Sequence, residues 1–176
     1  MSTLVDAKAT FLFASVLFHQ DLTEEFCIEL LKIKFGNGVI FRNQYFPMKN
    51  YYSKEMGDSE LLSRFLFLVP SRYDRRNIVE DKIWADAIEQ KYSNAGKRKI
   101  NIDVGFQSLE QIVLATGKQF THRIYLDRGV YLDLNLIYEG DSYKSLTWTY
   151  PDYAHHEFIQ FFNWTRSLLL KNLNNS

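Results

Sequence analysis

The 176-residue chain carries 21 Lys plus Arg against 21 Asp plus Glu, so its formal net charge is zero. Proteins built to grip a phosphate backbone carry a basic excess, so nucleic acid is not the expected partner. A single cysteine, Cys27, excludes an intrachain disulfide and a cysteine zinc cage, and fits a reducing cytoplasm.

The length suits one domain over residues 1–176 with a sizeable core, residues 1–8 and 172–176 being loose. Ala9–Phe18 is a short, continuous, aromatic-rich run and predicts a buried strand. Its ten residues are too few to span a bilayer, and no small-residue cleavage site follows, so no membrane association is expected. Asp21 is placed to cap a helix whose first turn holds Glu24 and Glu25 and which Gly36 stops. VIFRNQYF then predicts a second strand, ended by Pro47. Residues 50–60, NYYSKEMGDSE, read as a loop with packed rings.

Arg64–Val69 predicts a strand stopped at Pro70, and RYDRR a solvated connection. Ile78, Ile83, Trp84, Ala87 and Ile88 carry a helical pattern over 77–92. KINIDVGF alternates Ile100, Ile102 and Val104 with polar neighbours, the period of a half-buried strand. QIVLATGK is β-branched at its centre and favours strand over helix. Two alternating runs then flank Asp127-Arg128-Gly129, a hairpin with glycine where φ must turn positive. A short return strand is expected over 142–146. After Pro151 comes an amphipathic last helix with His155, Phe158, Phe162 and Leu169 on its stripe. These elements predict an α+β protein: helices packed on one face of a mostly antiparallel sheet. The order through Phe106 suggests a ferredoxin-like core, extended by a hairpin and a C-terminal helix.

Common chemistries are missing. There is no GxxxxGK[ST], GxGxxG, HExxH or GxSxG. His155 and His156 are adjacent and would point about 100° apart on a helix, so they cannot share a metal from one face. No metal ligand set is indicated, and no cofactor is named by the residues.

The polar residues best placed for chemistry lie between 99 and 153. Asp103 follows a strand and precedes Gly105; it is a candidate catalytic carboxylate, or an aspartate that fixes a turn. His122 could act as its acid–base partner near neutral pH, or be structural. Lys118 and Arg123 flank the first hairpin arm and could hold an anion; the alternative is surface ion pairing with Asp103 or Asp127. Tyr125, Tyr150 and Asp152 complete the expected ligand-binding set. Alternatively Trp148 is core, Pro151 opens the last helix and Asp152 is its N-terminal acid. Tyr51, Tyr52 and Glu55 are weaker candidates. Three functions follow in order: a small-molecule domain for an anionic, nucleotide-like ligand; an enzyme using Asp103 and His122 on a phosphorylated substrate; and a ligand-free interaction module.

KEMG at 54–57, NIDVG at 101–105, LATGK at 114–118, HRIYL at 122–126 and WTYPDY at 148–153 together resemble a bacterial family catalogued as domain of unknown function 4416. The resemblance spans nearly the whole chain and implies a short, complete cytoplasmic domain. Some members carry the automatic label GTP-binding protein, which these motifs do not support. The family more often has proline where this chain has Val104, and threonine where it has Gly117. The resemblance implies no catalytic residues.

Overall fold

A computed structural model describes residues 3–174. Among them the chain forms β1 (Thr10–His19), α1 (Glu24–Phe35), β2 (Val39–Phe41), α2 (Lys49–Met56), β3 (Leu62–Tyr73), α3 (Ile78–Lys91), β4 (Ser93–Asn94), β5 (Lys97–Arg98), β6 (Ile100–Gln107), β7 (Gln111–Thr116), β8 (Arg123–Asp127), β9 (Val130–Glu139), β10 (Ser142–Ser145) and α4 (His156–Asn174). Residues 3–9 carry neither helix nor strand, whereas 172–174, expected to be loose, continue α4. Residues 1, 2, 175 and 176, also expected to be loose, lie outside the described residues.

The main sheet runs β10-β9-β7-β6-β1-β3-β2, and every pairing in it is antiparallel. Its β6-β1-β3-β2 part, with α1 after β1 and α3 after β3, has the strand order of a ferredoxin-like core. The protein is therefore α+β with a large antiparallel sheet and a C-terminal helix. β7, β9 and β10 widen the sheet beyond that core. β8 and β10 lie end to end on the outer edge of β9, beside residues 130–133 and 136–139. Trp148 Nε1 donates to Leu134 O at 2.8 Å in the gap between them, and Thr149 Oγ1 donates to Asn135 O. The β8–β9 turn has φ of +46° at Arg128 and +80° at Gly129, the left-handed pair that a tight hairpin requires.

β1 explains the layering. It is buried at all ten positions, so both faces of the sheet must be covered. Leu12, Ala14, Val16 and Phe18 pack with Cys27 and Leu31 of α1 and Ile78 and Ala85 of α3. Phe11 and Phe13 point the other way, into Phe158, Phe161, Phe162 and Leu169 of α4. This corrects the expectation of helices on one face: α1 and α3 share a face, and α4 covers the opposite one.

Four local expectations also change. Thr23, not Asp21, caps α1, accepting from Phe26 N at 3.1 Å; Asp21 pairs with Lys99 at 2.6 Å instead. The second strand is cut to Val39–Phe41. Residues 49–56, read as loop, form α2, because Met56, with Phe46 and Tyr52, packs onto Leu17 of β1. β3 runs through Pro70, because its register with β1 jumps from Leu12–Val69 to Thr10–Tyr73 and bulges the proline out of the ladder. No helix among the described residues is long and apolar enough to cross a membrane.

Candidate functional site

The site begins with a split in the sheet. β6 and β7 pair only over Gly105–Gln107 and Ile112–Leu114; before Gly105 the two strands part. Gly105 allows the close crossing, since a Cβ there would sit 2.4 Å from Val113 O and 2.5 Å from the Phe13 ring. The β6 backbone left without a strand partner is taken up by α3: Ile102 N donates to Glu89 Oε1 at 2.8 Å. A cavity of about 430 Å³ opens at this split, a usual size for a small-molecule site.

Strand alternation aims Ser15 of β1, Arg64 of β3, and Asn101 and Asp103 of β6 to one face, where they form the floor. Tyr51, Tyr52 and Glu55 of α2 roof the cavity with Tyr150, Asp152 and Tyr153. Thr116, Lys118 and Asp133 close the β7–β9 side, while Lys82, Asp86 and Glu89 reach in from α3.

Almost every cation here already has a partner. Arg64 pairs through Nη1 with Asp152, both side chains under 10% exposed, and donates from Nε and Nη2 to Ser15 Oγ at 3.1 and 3.0 Å. Such a pair holds β3 against the 150–153 turn; losing one partner of a buried ion pair costs about 3–5 kcal/mol. Lys82 pairs with Asp86 at 2.6 Å. Burial works to lower the Lys82 ammonium, but the Asp103, Glu89 and Asp86 carboxylates outweigh it and hold it above its ordinary value. Burial pushes the Glu89 carboxyl up, against the opposing pull of Lys82, the Ile102 amide and Arg98. Arg98 pairs with Glu89 at 2.6 Å and with Glu55, and donates to Asn101 Oδ1 at 2.8 Å.

Asp103 differs from the other acids of the cavity. It makes no ion pair; its hydrogen bond is from Asn101 Nδ2, at 2.8 Å. Arg98 thus orients Asn101, and Asn101 orients Asp103. The Asp103 charge also adds to the burial that raises the phenols of Tyr52, Tyr150 and Tyr153, which places it among the roof rings. Lys118 makes no ion pair either; its Nζ donates to Tyr51 Oη at 3.2 Å and lies 5.7 Å from that ring's centre.

The residues singled out from sequence fall into two groups. Asp103, Lys118, Tyr150 and Asp152 come together around the cavity. Asp103 lies within β6 opposite Ser15, so it fixes no turn. Arg123 is beside them, with each of its three nitrogens already bonded: Nε with Asp133 at 2.7 Å, Nη1 with Lys118 O at 2.9 Å and Nη2 with Tyr150 Oη at 2.9 Å. His122 is brought to Asp133, at 3.4 Å, not to Asp103, and its ring stacks on Trp148 at 4.9 Å. Tyr125 packs edge-on against Tyr131 and is 56% exposed. Asp152 serves Arg64 and not α4, which starts only at His156. Trp148, offered as core, is 41% exposed. Among the described residues no group of three or more His, Cys, Asp or Glu is arranged to hold a metal ion.

Sequence reasoning missed Arg64, Arg98, Glu89, Asn101 and Asp133. One signal was available: Arg64 shares a strand face with Leu66 and Leu68, and a charge on an otherwise apolar face calls for a buried partner.

Fold and site define a ferredoxin-like α+β protein with a polar, aromatic-roofed cavity where its sheet splits. The chain belongs to the family described as a domain of unknown function, number 4416, which matches residues 8–168. No curated protein and no solved structure matches it.

Proposed function

We propose that this protein binds a small polar molecule in the cavity between β6 and β7. The observation that carries this reading is Asp103, which Lys82 attracts only from beyond ion-pair distance, whereas every other acid of the cavity lining has a cation in direct contact. The lining holds six carboxylates against four Lys and Arg side chains. The ligand therefore presents an ammonium or N–H donor to Asp103. Lys118 takes its anionic or acceptor group, being the cation of the expected anion site that no carboxylate pairs. Arg123, with Tyr150, buttresses that wall instead of gripping the anion. The continuous sheet supports reading residues 1–176 as one domain, and a single buried thiol accords with a cytoplasmic location.

The test is a thermal-shift panel of amino acids, amines, nucleotides and sugar phosphates, run on the wild type and on Asp103→Asn. A ligand at about a hundred times its dissociation constant adds roughly 2.7 kcal/mol, worth about 5–10 °C in midpoint. A shift present in the wild type and lost in a folded Asp103→Asn protein supports the site; a shift that the variant retains overturns it.

A second reading, an interaction module, is favoured by the exposed apolar side chains of Phe120, Ile124, Tyr125, Leu126 and Trp148 around β8. A flat panel would favour it. An Asp103–His122 acid–base pair draws no support from the geometry.

A further inference from the structure

At the other end of β1, away from the cavity, lies a second concavity of about 290 Å³, walled by residues 6–9 and 72–76. The structure assigns it, we infer, as a binding site for a phosphate-class oxyanion held by Arg75, Arg72 and Lys8. The bulge at residues 70–72 of β3, opposite Thr10–Leu12, breaks strand alternation and re-aims the chain at this corner. It leads straight into the Arg75-Arg76 pair.

Arg75 is prepared for an anion. Its guanidinium lies 5.2 Å from the Phe106 ring centre, and Nη2 donates to Lys8 O at 3.0 Å, which fixes its plane. Its Nε is buried and has no acceptor among the described residues. The guanidinium at the wall of the concavity thus keeps hydrogen-bonding capacity that no protein group meets. The guanidinium fork matches two oxygens of a tetrahedral anion. The Arg72 side chain makes no hydrogen bond or ion pair, and neither does the Lys8 ammonium.

Two acids share the concavity, and they do not cancel this charge. Asp74 is consumed by Arg76, which donates from Nε to both carboxylate oxygens at 3.0 and 2.8 Å and holds that carboxyl down to about 2. Asp6 stands alone against Lys8, Arg72 and Arg75. The neutral total charge of the chain thus hides a local basic excess.

The experiment follows the arginine Nε–H resonances of the ¹⁵N-labelled full chain during titration with inorganic phosphate, phenyl phosphate and, as the control, chloride at matched ionic strength. Saturable movement of the Arg75 Nε–H signal by phosphate but not chloride is expected. Arg75→Lys keeps the charge and removes the fork, and should bind about tenfold more weakly. Arg72→Gln, at an exposed position, supplies a second variant that should also weaken binding if Arg75→Lys fails to fold. Tighter binding of phenyl phosphate would identify the occupant as the phosphoryl group of a larger molecule, and equal binding as free phosphate. A linear response, a response matched by chloride, or undiminished binding in both variants overturns the assignment.

Discussion

Single residues show what the split between β6 and β7 permits. Ile102 N points away from β1, toward Glu89, so Val104 N, two residues on, points the same way. No β7 residue pairs with Val104, because the ladder begins at Gly105. A proline at 104, frequent in the family this chain resembles, therefore removes no ladder hydrogen bond. Gly117, where the family often has threonine, meets nothing within 4 Å of an added Cβ. Gly105 is the opposite case, closed by Val113 O and the Phe13 ring. The expected outcome in urea denaturation is a change of less than about 0.5 kcal/mol for Gly117→Thr, in line with open sites generally. Val104→Pro should cost about 1 kcal/mol, mainly its lost side-chain packing, and Gly105→Ala more than about 2 kcal/mol, as overpacking does. A Val104→Pro protein less stable than Gly105→Ala would show that the strands stay paired beyond the split.

Among the helices α1 to α4, α2 is the one with least to hold it. It has eight residues, no side-chain cap at Met48 and a single buried residue, Met56. Helices shorter than about 12–15 residues are marginal unless packing supports them. Half of the cavity roof, Tyr51, Tyr52 and Glu55, hangs on this helix, so opening of α2 is the natural route for a ligand. Its amides should exchange with solvent at least about a hundredfold faster than those of β1, and saturation with a panel hit should slow them. Protection of α2 equal to that of β1 in a hydrogen-exchange experiment would contradict this. α4 stands at the other extreme, with Phe162 fully buried between Phe13 and Tyr153.

At the scale of the whole molecule, the aromatic richness sets the response to alkali. Burial pushes the Cys27 thiol from near 9.0 up to about 12. Burial likewise raises the phenols of Tyr52, Tyr73, Tyr143 and Tyr153 above their ordinary 10.0, with Asp81 adding to the effect on Tyr73. These groups hold their protons more tightly folded than unfolded. Their contribution is fully present below pH 9 and is lost as pH rises through 9 and 10 toward the raised folded values. Each such group costs about 1.4 kcal/mol per pH unit once its unfolded form ionises. The urea midpoint should fall steeply above about pH 10, and tyrosinate absorbance of the buried rings should rise together with loss of helix signal. Independent titration of all tyrosines near 10 in a still-folded protein would refute this.

The sequence by itself determined the α+β class, the β8–β9 hairpin, the course of α1, α3 and α4 and the ferredoxin-like order, because hydrophobic period and turn residues are local properties. It also marked Asp103, Lys118, Tyr150 and Asp152, polar residues set among apolar ones. The tertiary structure alone decided which helices cover each face of β1, that residues 49–56 are helical, and that His122 faces Asp133. It alone supplied Arg64, Arg98 and Glu89 to the cavity. Those outcomes rest on contacts between residues distant in sequence: Arg64 meets Asp152 and Glu89 meets Ile102 only once the sheet has formed and split, and no local pattern encodes that meeting.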